Sequence, residues 1–190
     1  MISPARTDFQ DDNCILEPVE DFNVFDGFCC GDDDLDDFIV NDALPHKEKL
    51  LAVTYAFHLK RDGEISVPVA YVSLLNDSIR HLTTSRKKKK FPQAKRYNEF
   101  PAVKIGRLAV MEGLAKTGIG TNLVTVLKHI FTTANRTGCR FMTVDAYRNA
   151  IEFYEKNDFN FVQPKDKDGD SETVSMFFDL MRFAEAMKEE

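Results

Sequence analysis

The chain has 190 residues, of which 43% are hydrophobic and 29% charged, with a formal net charge of −6. That length and balance are ordinary for a soluble globular protein and sufficient for one substantial core. No apolar stretch approaches a bilayer span, and the N-terminus lacks the basic-then-apolar order of a signal peptide, so the expected location is the cytoplasm, without a membrane partner.

In chain order, residues 1–12 read as a mobile polar tail and residues 13–190 as a single domain. Residues 14–18 make a short strand that Pro18 ends. Asp32, Asp33 and Asp34 then precede Leu35, Phe38, Ile39 and Ala43, whose i, i+3, i+4 and i+8 spacing marks one face of a helix. The acids suit the positive end of that helix, and Pro45 is placed just beyond its end. Residues 51–57 and 67–75 are rich in strand formers and flank an Arg61-Asp62-Gly63-Glu64 turn, so they predict an antiparallel hairpin. Residues 76–100 form a connection longer than most loops of compact domains.

Residues 101–110 predict the next strand, with Gly106 marking a bulge or a close backbone approach. A helix runs from Gly120 to about residue 135 and buries Leu123, Val126, Leu127, Ile130 and Ala134. A short strand at 141–144 follows, then a helix with Ala150, Phe153 and Tyr154 on one face. Strands near 159–162 and 174–180, separated by a turn at 165–170, precede a charged helical tail. The order β-α-β-β-β-α-β-α-β-β predicts a mixed sheet flanked by helices in one domain.

Cys29 and Cys30 are adjacent, Cys14 and Cys139 stand alone, and His46, His58, His81 and His129 are scattered. No metal-ligand spacing results, so no metal is expected. Charge is split along the chain. The first fifty residues are strongly acidic, whereas residues 80–107 carry many Lys and Arg against one acid, Glu99. Solvated surface is the usual meaning of such runs; a charged partner is the alternative.

The most informative stretch runs from Arg107 to Tyr154. An apolar strand feeds Lys116-Thr117-Gly118-Ile119-Gly120-Thr121 at the start of a long helix, where first-turn N–H groups lack intrahelical acceptors and suit a pyrophosphate. A Walker A loop needs Lys and Ser/Thr where Ile119 and Gly120 stand. A dinucleotide fingerprint needs glycine at Leu123. Both devices fail on specific residues.

The combination of Arg107-Leu108-Ala109-Val110, Gly118-Ile119-Gly120, and Asn149-Ala150-x-x-Phe153-Tyr154-x-Lys156-x-x-Phe159 resembles the GNAT family of acetyl-CoA-dependent N-acetyltransferases. The resemblance implies a GNAT-like α/β (α+β) fold with a mostly antiparallel sheet. It also implies acetyl-CoA as co-substrate and transfer of its acetyl group to a primary amine. Gly118 and Gly120 match the pyrophosphate-binding pattern, whereas Ala115 stands where the family has Gln or Arg, and Asp158 replaces the glycine before Phe159. Lys116, Gly118, Ile119, Gly120 and Thr121 are then the expected pyrophosphate contacts. The backbone of Leu108, Ala109 and Val110 is expected to meet the pantetheine arm and the thioester, and Asn149 to contact the cofactor or to cap the helix after it. Tyr154 falls on the family's general-acid tyrosine; without the resemblance it reads as a core aromatic. Glu112 and Asp145 lie at predicted strand ends, and no base is assigned.

Phe28-Cys29-x-x-x-x-x-Leu35-Asp36-x-Phe38-Ile39 with Ala43 further resembles the opening of toxin-type GNAT enzymes, which acetylate aminoacyl-tRNA. Their usual basic surface differs from the net charge here, and the basic run 86–96 is the candidate phosphate contact. A small-molecule amine, a peptide amine and aminoacyl-tRNA remain open as acceptors. A non-catalytic CoA- or partner-binding module, and a homodimer, remain open as well.

Overall fold

The computed structural model describes residues 8–80, 99–134 and 137–189. The basic run 86–96 lies outside the described residues. Contacts group the chain into two compact units, Met1–Leu75 with Ile105–Ile130, and Asn76–Lys104 with Phe131–Glu190.

In the first unit the strands β1 (Phe9–Gln10), β2 (Cys14–Pro18), β3 (Val53–Arg61), β5 (Ala70–Ile79) and β6 (Phe100–Val110) are hydrogen-bonded neighbours in that order. The short β4 (Glu64–Ile65) pairs with β3. The register sets Leu16 opposite Phe57 and Phe57 opposite Ala70, both in antiparallel ladders. The predicted hairpin is therefore present, with longer strands than expected, and Pro68 falls before β5 where its missing N–H costs no ladder bond.

Two residues of the expected tail belong to the sheet. Phe9 and Gln10 pair with Leu16 and Ile15. Asp11 Oδ1 accepts the amides of Asn13 and Cys14, both at 2.8 Å, so polarity read as fraying instead closes a tight turn.

Helix α1 (Asp33–Asp37) starts as the acids predict. Asp32 Oδ1 accepts the Asp34 and Leu35 amides, and Asp33, Asp34 and Asp36 occupy the first turn. The segment then widens into a π turn (Phe38–Asp42), in which the Ala43 amide donates to the Phe38 carbonyl five residues back, before α2 (Ala43–Glu48). Pro45 thus sits within α2 rather than beyond it. It occupies the first turn after the widened one, where a missing N–H is tolerated. Phe25, Phe28, Phe38, Ile39, Tyr71 and Ala109 form the core beneath, and the Tyr71 hydroxyl donates to the Leu35 carbonyl at 2.6 Å. Gly106 marks a close approach: a Cβ there would lie 2.7 Å from Leu75 Cδ2.

Helix α3 (Ile119–Thr133) begins one residue earlier and ends sooner than expected. Leu123, Val126 and Leu127 are buried, joined by Val124, while Ile130 is half-buried and Ala134 is exposed beyond the helix.

The second unit takes the start of β6, residues 100–104, followed by β7 (Phe141–Tyr147), β9 (Thr173–Asp179) and β8 (Asn160–Phe161) in hydrogen-bonded order. Antiparallel pairing sets Thr143 opposite Phe177, and Phe177 opposite Asn160. Between β7 and β8 lies α4 (Ile151–Lys156); after β9 comes α5 (Leu180–Ala186), whose first turn takes in the predicted strand end Leu180. Phe100, Ala102, Phe141 and Phe177 make this unit's core. Asp179 is held by Arg140 at 2.9 Å and caps α5 through the Met181 amide. The fold class is the mixed α/β one expected, with a mostly antiparallel sheet and flanking helices.

Candidate active site

The glycine turn belongs to the first unit. After β6, a 3-10 turn at Glu112–Leu114 is closed by the Leu114 amide on the Met111 carbonyl (2.9 Å) and the Ala115 amide on the Glu112 carbonyl (3.1 Å). Lys116 (φ 62°) and Gly118 (φ 94°) then adopt left-handed backbone, and α3 begins at once. At Gly118 a side chain is strained by φ alone, although a Cβ would meet nothing within 4 Å. The backbone is therefore bent to present the first helical turn, and the space before it is open.

Lys116, Thr117, Gly118 and Thr121 are exposed, while the Ile119 side chain is buried and anchors the turn. By position the amides of Gly118, Ile119 and Gly120 have no intrahelical acceptor. Bent backbone, open space and donor amides at a helix start together fit a pyrophosphate. Ala115 is exposed and brings no cation; the Lys116 ammonium, one residue on, has no ion-pair partner among the described residues. On β6, Ala109 is buried in the core, and Leu108 and Val110 are half-buried on the alternate face.

The second unit carries the other predicted residues. Asn149 is exposed in a 3-10 turn, Arg148–Ala150. The N-cap of α4 is Ala150, without a side-chain bond, so Asn149 does not cap this helix. Arg148, which the sequence reading passed over, donates to the carbonyls of Ser171 (2.7 Å), Lys167 (2.8 Å) and Asp166 (3.2 Å) and clamps the following loop. Nothing local signals it, because its acceptors lie about twenty residues away.

Tyr154 is 6% exposed and packs edge-on to Phe153 and Phe159. Burial pushes its phenol pKa well above the usual value, so the hydroxyl keeps its proton. Among the described residues that hydroxyl has no hydrogen-bond partner. Of the two carboxylates at predicted strand ends, Asp145 is bound by Lys104 and by Ser175 (2.7 Å). Burial pushes its pKa up, but these hydrogen bonds outweigh it and hold the carboxyl below its ordinary range, unlike a base poised near neutrality. The Glu112 side chain lies against Gly31.

Residues 92–180 match the acetyltransferase (GNAT) domain family. The match covers just under half of the chain. An acetyl-CoA-dependent acetyltransferase is the activity that this match supports. Three solved structures share its fold. AtaT complexed with acetyl-methionyl-tRNAfMet is 21% identical with a TM-score of 0.70, over 92% of this chain and 99% of that one. A tyrosine-to-phenylalanine mutant of KacT is also 21% identical, with a TM-score of 0.71 over the same shares. A mutant AtaT toxin bound to the C-terminus of the antitoxin AtaR and acetyl-CoA is 21% identical, with a TM-score of 0.66 over 93% and 99%. No curated protein matches the chain significantly. Among the described residues, no helix is long and apolar enough to cross a membrane, and no cluster of His, Cys, Asp and Glu suits a metal ion.

Proposed function

We propose that this acetyltransferase transfers acetyl from acetyl-CoA to the α-amino group of an aminoacyl-tRNA, with Tyr154 as general acid. Main-chain amides of Gly118, Ile119, Gly120 and Thr121, with Lys116 beside them, hold the pyrophosphate. The backbone of Leu108, Ala109 and Val110 aligns the pantetheine and thioester and steadies the developing oxyanion. Asn149, exposed and free of a capping duty, contacts the donor.

The neutral amine attacks the thioester carbon; the C–N bond forms and the C–S bond breaks. The amine's extra proton leaves to water, and Tyr154 gives its proton to the departing thiolate, then regains one from solvent. The observation that carries this reading is the hydroxyl of Tyr154, held on a buried side chain and engaged by no other group among the described residues. General acids of this kind contribute about 10²–10⁴ in rate.

The choice of acceptor is supported by the likeness to AtaT, which was captured with acetyl-methionyl-tRNAfMet. An antitoxin is the partner this reading implies. Incubation with labelled acetyl-CoA and, separately, charged tRNA, polyamines and a peptide library tests it. Label in charged tRNA alone is the expected result; label in polyamine or peptide alone overturns the acceptor. Loss of tRNA labelling on replacing Lys87, Lys88, Lys89 and Lys90 would implicate the basic run in phosphate contact.

A further inference from the structure

We propose that Asp36 is a positioning residue for acetyl-CoA: its carboxylate fixes the loop 29–31, to which the turn leading into Gly118 is hydrogen-bonded. The proposal rests on the reading of residues 118–121 as the pyrophosphate cradle.

Asp36 lies on α1 and reaches back along the chain. Its Oδ1 accepts the Cys30 amide at 2.8 Å and its Oδ2 accepts the Cys29 thiol at 3.4 Å. Burial pushes the Asp36 pKa up, yet these bonds outweigh it and keep the group ionised. Bonds to an ionised acceptor are roughly twice as strong as neutral ones. The helix has no need of them for its own start, because Asp32 already caps it.

The loop so held grips Glu112 in two ways. The Cys29 carbonyl accepts the Glu112 amide at 3.0 Å. Gly31, at φ 80°, leaves no side chain facing Glu112, whose Cδ and Oε1 would lie 3.4 Å from a Cβ there. From Glu112 onward each step leans on the one before it. The Ala115 amide bonds the Glu112 carbonyl at 3.1 Å, and the Thr117 hydroxyl bonds the Leu114 carbonyl at 2.6 Å. Gly118 follows directly. A shift at Glu112 therefore moves the amides that face the pyrophosphate, with no side chain of the cradle altered.

Calorimetric titration with acetyl-CoA tests this on the full chain, comparing Asp36→Ala, Asp36→Asn, Gly31→Ala and Gly120→Glu. Asp36→Ala and Gly31→Ala should each raise the Kd for acetyl-CoA about tenfold, the equivalent of one net hydrogen bond. Asp36→Asn, which retains an acceptor for the Cys30 amide, should fall between wild type and alanine. In turnover assays the same variants should raise KM for acetyl-CoA more than they lower kcat. A merely structural Asp36 would instead lower the melting temperature and the fraction of binding-competent protein while leaving Kd unchanged, and that result overturns the proposal. If Asp36→Ala fails to fold, Asp36→Asn decides, because it keeps the side-chain shape and removes the charge. Wild-type affinity in Gly120→Glu would sink the cradle reading itself. Lost binding in Gly120→Glu beside wild-type affinity in Asp36→Ala and Gly31→Ala would sink only the role of Asp36.

Discussion

The Phe159 amide donates to the Tyr154 carbonyl at 3.0 Å while the two rings meet edge-on with centroids 5.3 Å apart. The Asp158 amide bonds the Glu155 carbonyl, also at 3.0 Å, and Asp158 itself stands at φ 64°. Together these bonds and the ring contact close α4 in a Schellman exit, with aspartate where glycine is usual. The chain reversal that ends the helix is thus also what packs a ring against the proposed general acid.

Replacing Tyr154 with Phe keeps both ring contacts and removes only the hydroxyl. The expected outcome is a melting temperature close to wild type and kcat lowered about 10²–10⁴-fold, with KM for acetyl-CoA little changed. Steady-state kinetics with varied acetyl-CoA provides the check. A variant as active as wild type would remove Tyr154 from the mechanism.

Asp158→Gly relieves a left-handed aspartate, so stability should rise slightly, by less than about 1 kcal/mol, with activity preserved. Asp158→Val places a β-branched residue in the same conformation. It should destabilise the helix exit by about 1–3 kcal/mol and reduce kcat as the Tyr154–Phe159 contact loosens. Chemical denaturation of the two variants, run side by side, separates these signs.

Gly118→Ala meets no neighbour, so its cost is backbone strain alone, about 1–2 kcal/mol. That strain falls on the turn that presents the first amides of α3. Affinity for acetyl-CoA should drop, and the thermal transition should fall by a few degrees, about 2–4 °C for each kcal/mol in a chain of this length. Calorimetry with acetyl-CoA measures the first effect and a thermal melt the second.

The Asp145 carboxyl, held below its ordinary range of 3.8 despite burial, supplies a pH dependence. A depressed carboxylate pKa stabilises the fold at pH above the unfolded value, and the contribution is lost as pH falls through the folded value. The Asp145 side chain is 43% exposed, so solvent screening limits the effect to roughly 1 kcal/mol. Asp145→Asn should therefore be less stable than wild type at neutral pH and should converge with it as pH falls through the lowered folded-state value. Urea titrations at several pH values between 2 and 7 would show the convergence; a constant difference would exclude it.

Some of this architecture was legible in the residues alone, for a physical reason. The acids that start α1, the glycine turn before α3 and the buried stripe of α3 all express interactions within one or two turns of chain. Composition and spacing report such interactions directly. Periodicity likewise placed the hairpin strands, with their ends misjudged because ladder length depends on the partner strand.

What tertiary structure alone decided were the long-range bonds. Phe9 and Gln10 belong to a sheet because β2 offers them a ladder. The π turn before Pro45 keeps the segment helical where proline signalled a stop. Arg148 finds its carbonyl acceptors at residues 166–171, and Asp145 is neutralised by Lys104 from another strand. Asp36 reaches Glu112 through the loop at Cys29, and no spacing in the sequence foretells that link. Local chain chemistry shaped the glycine turn before α3; folding determined which backbone amides that turn presents and how deeply the Tyr154 ring is buried.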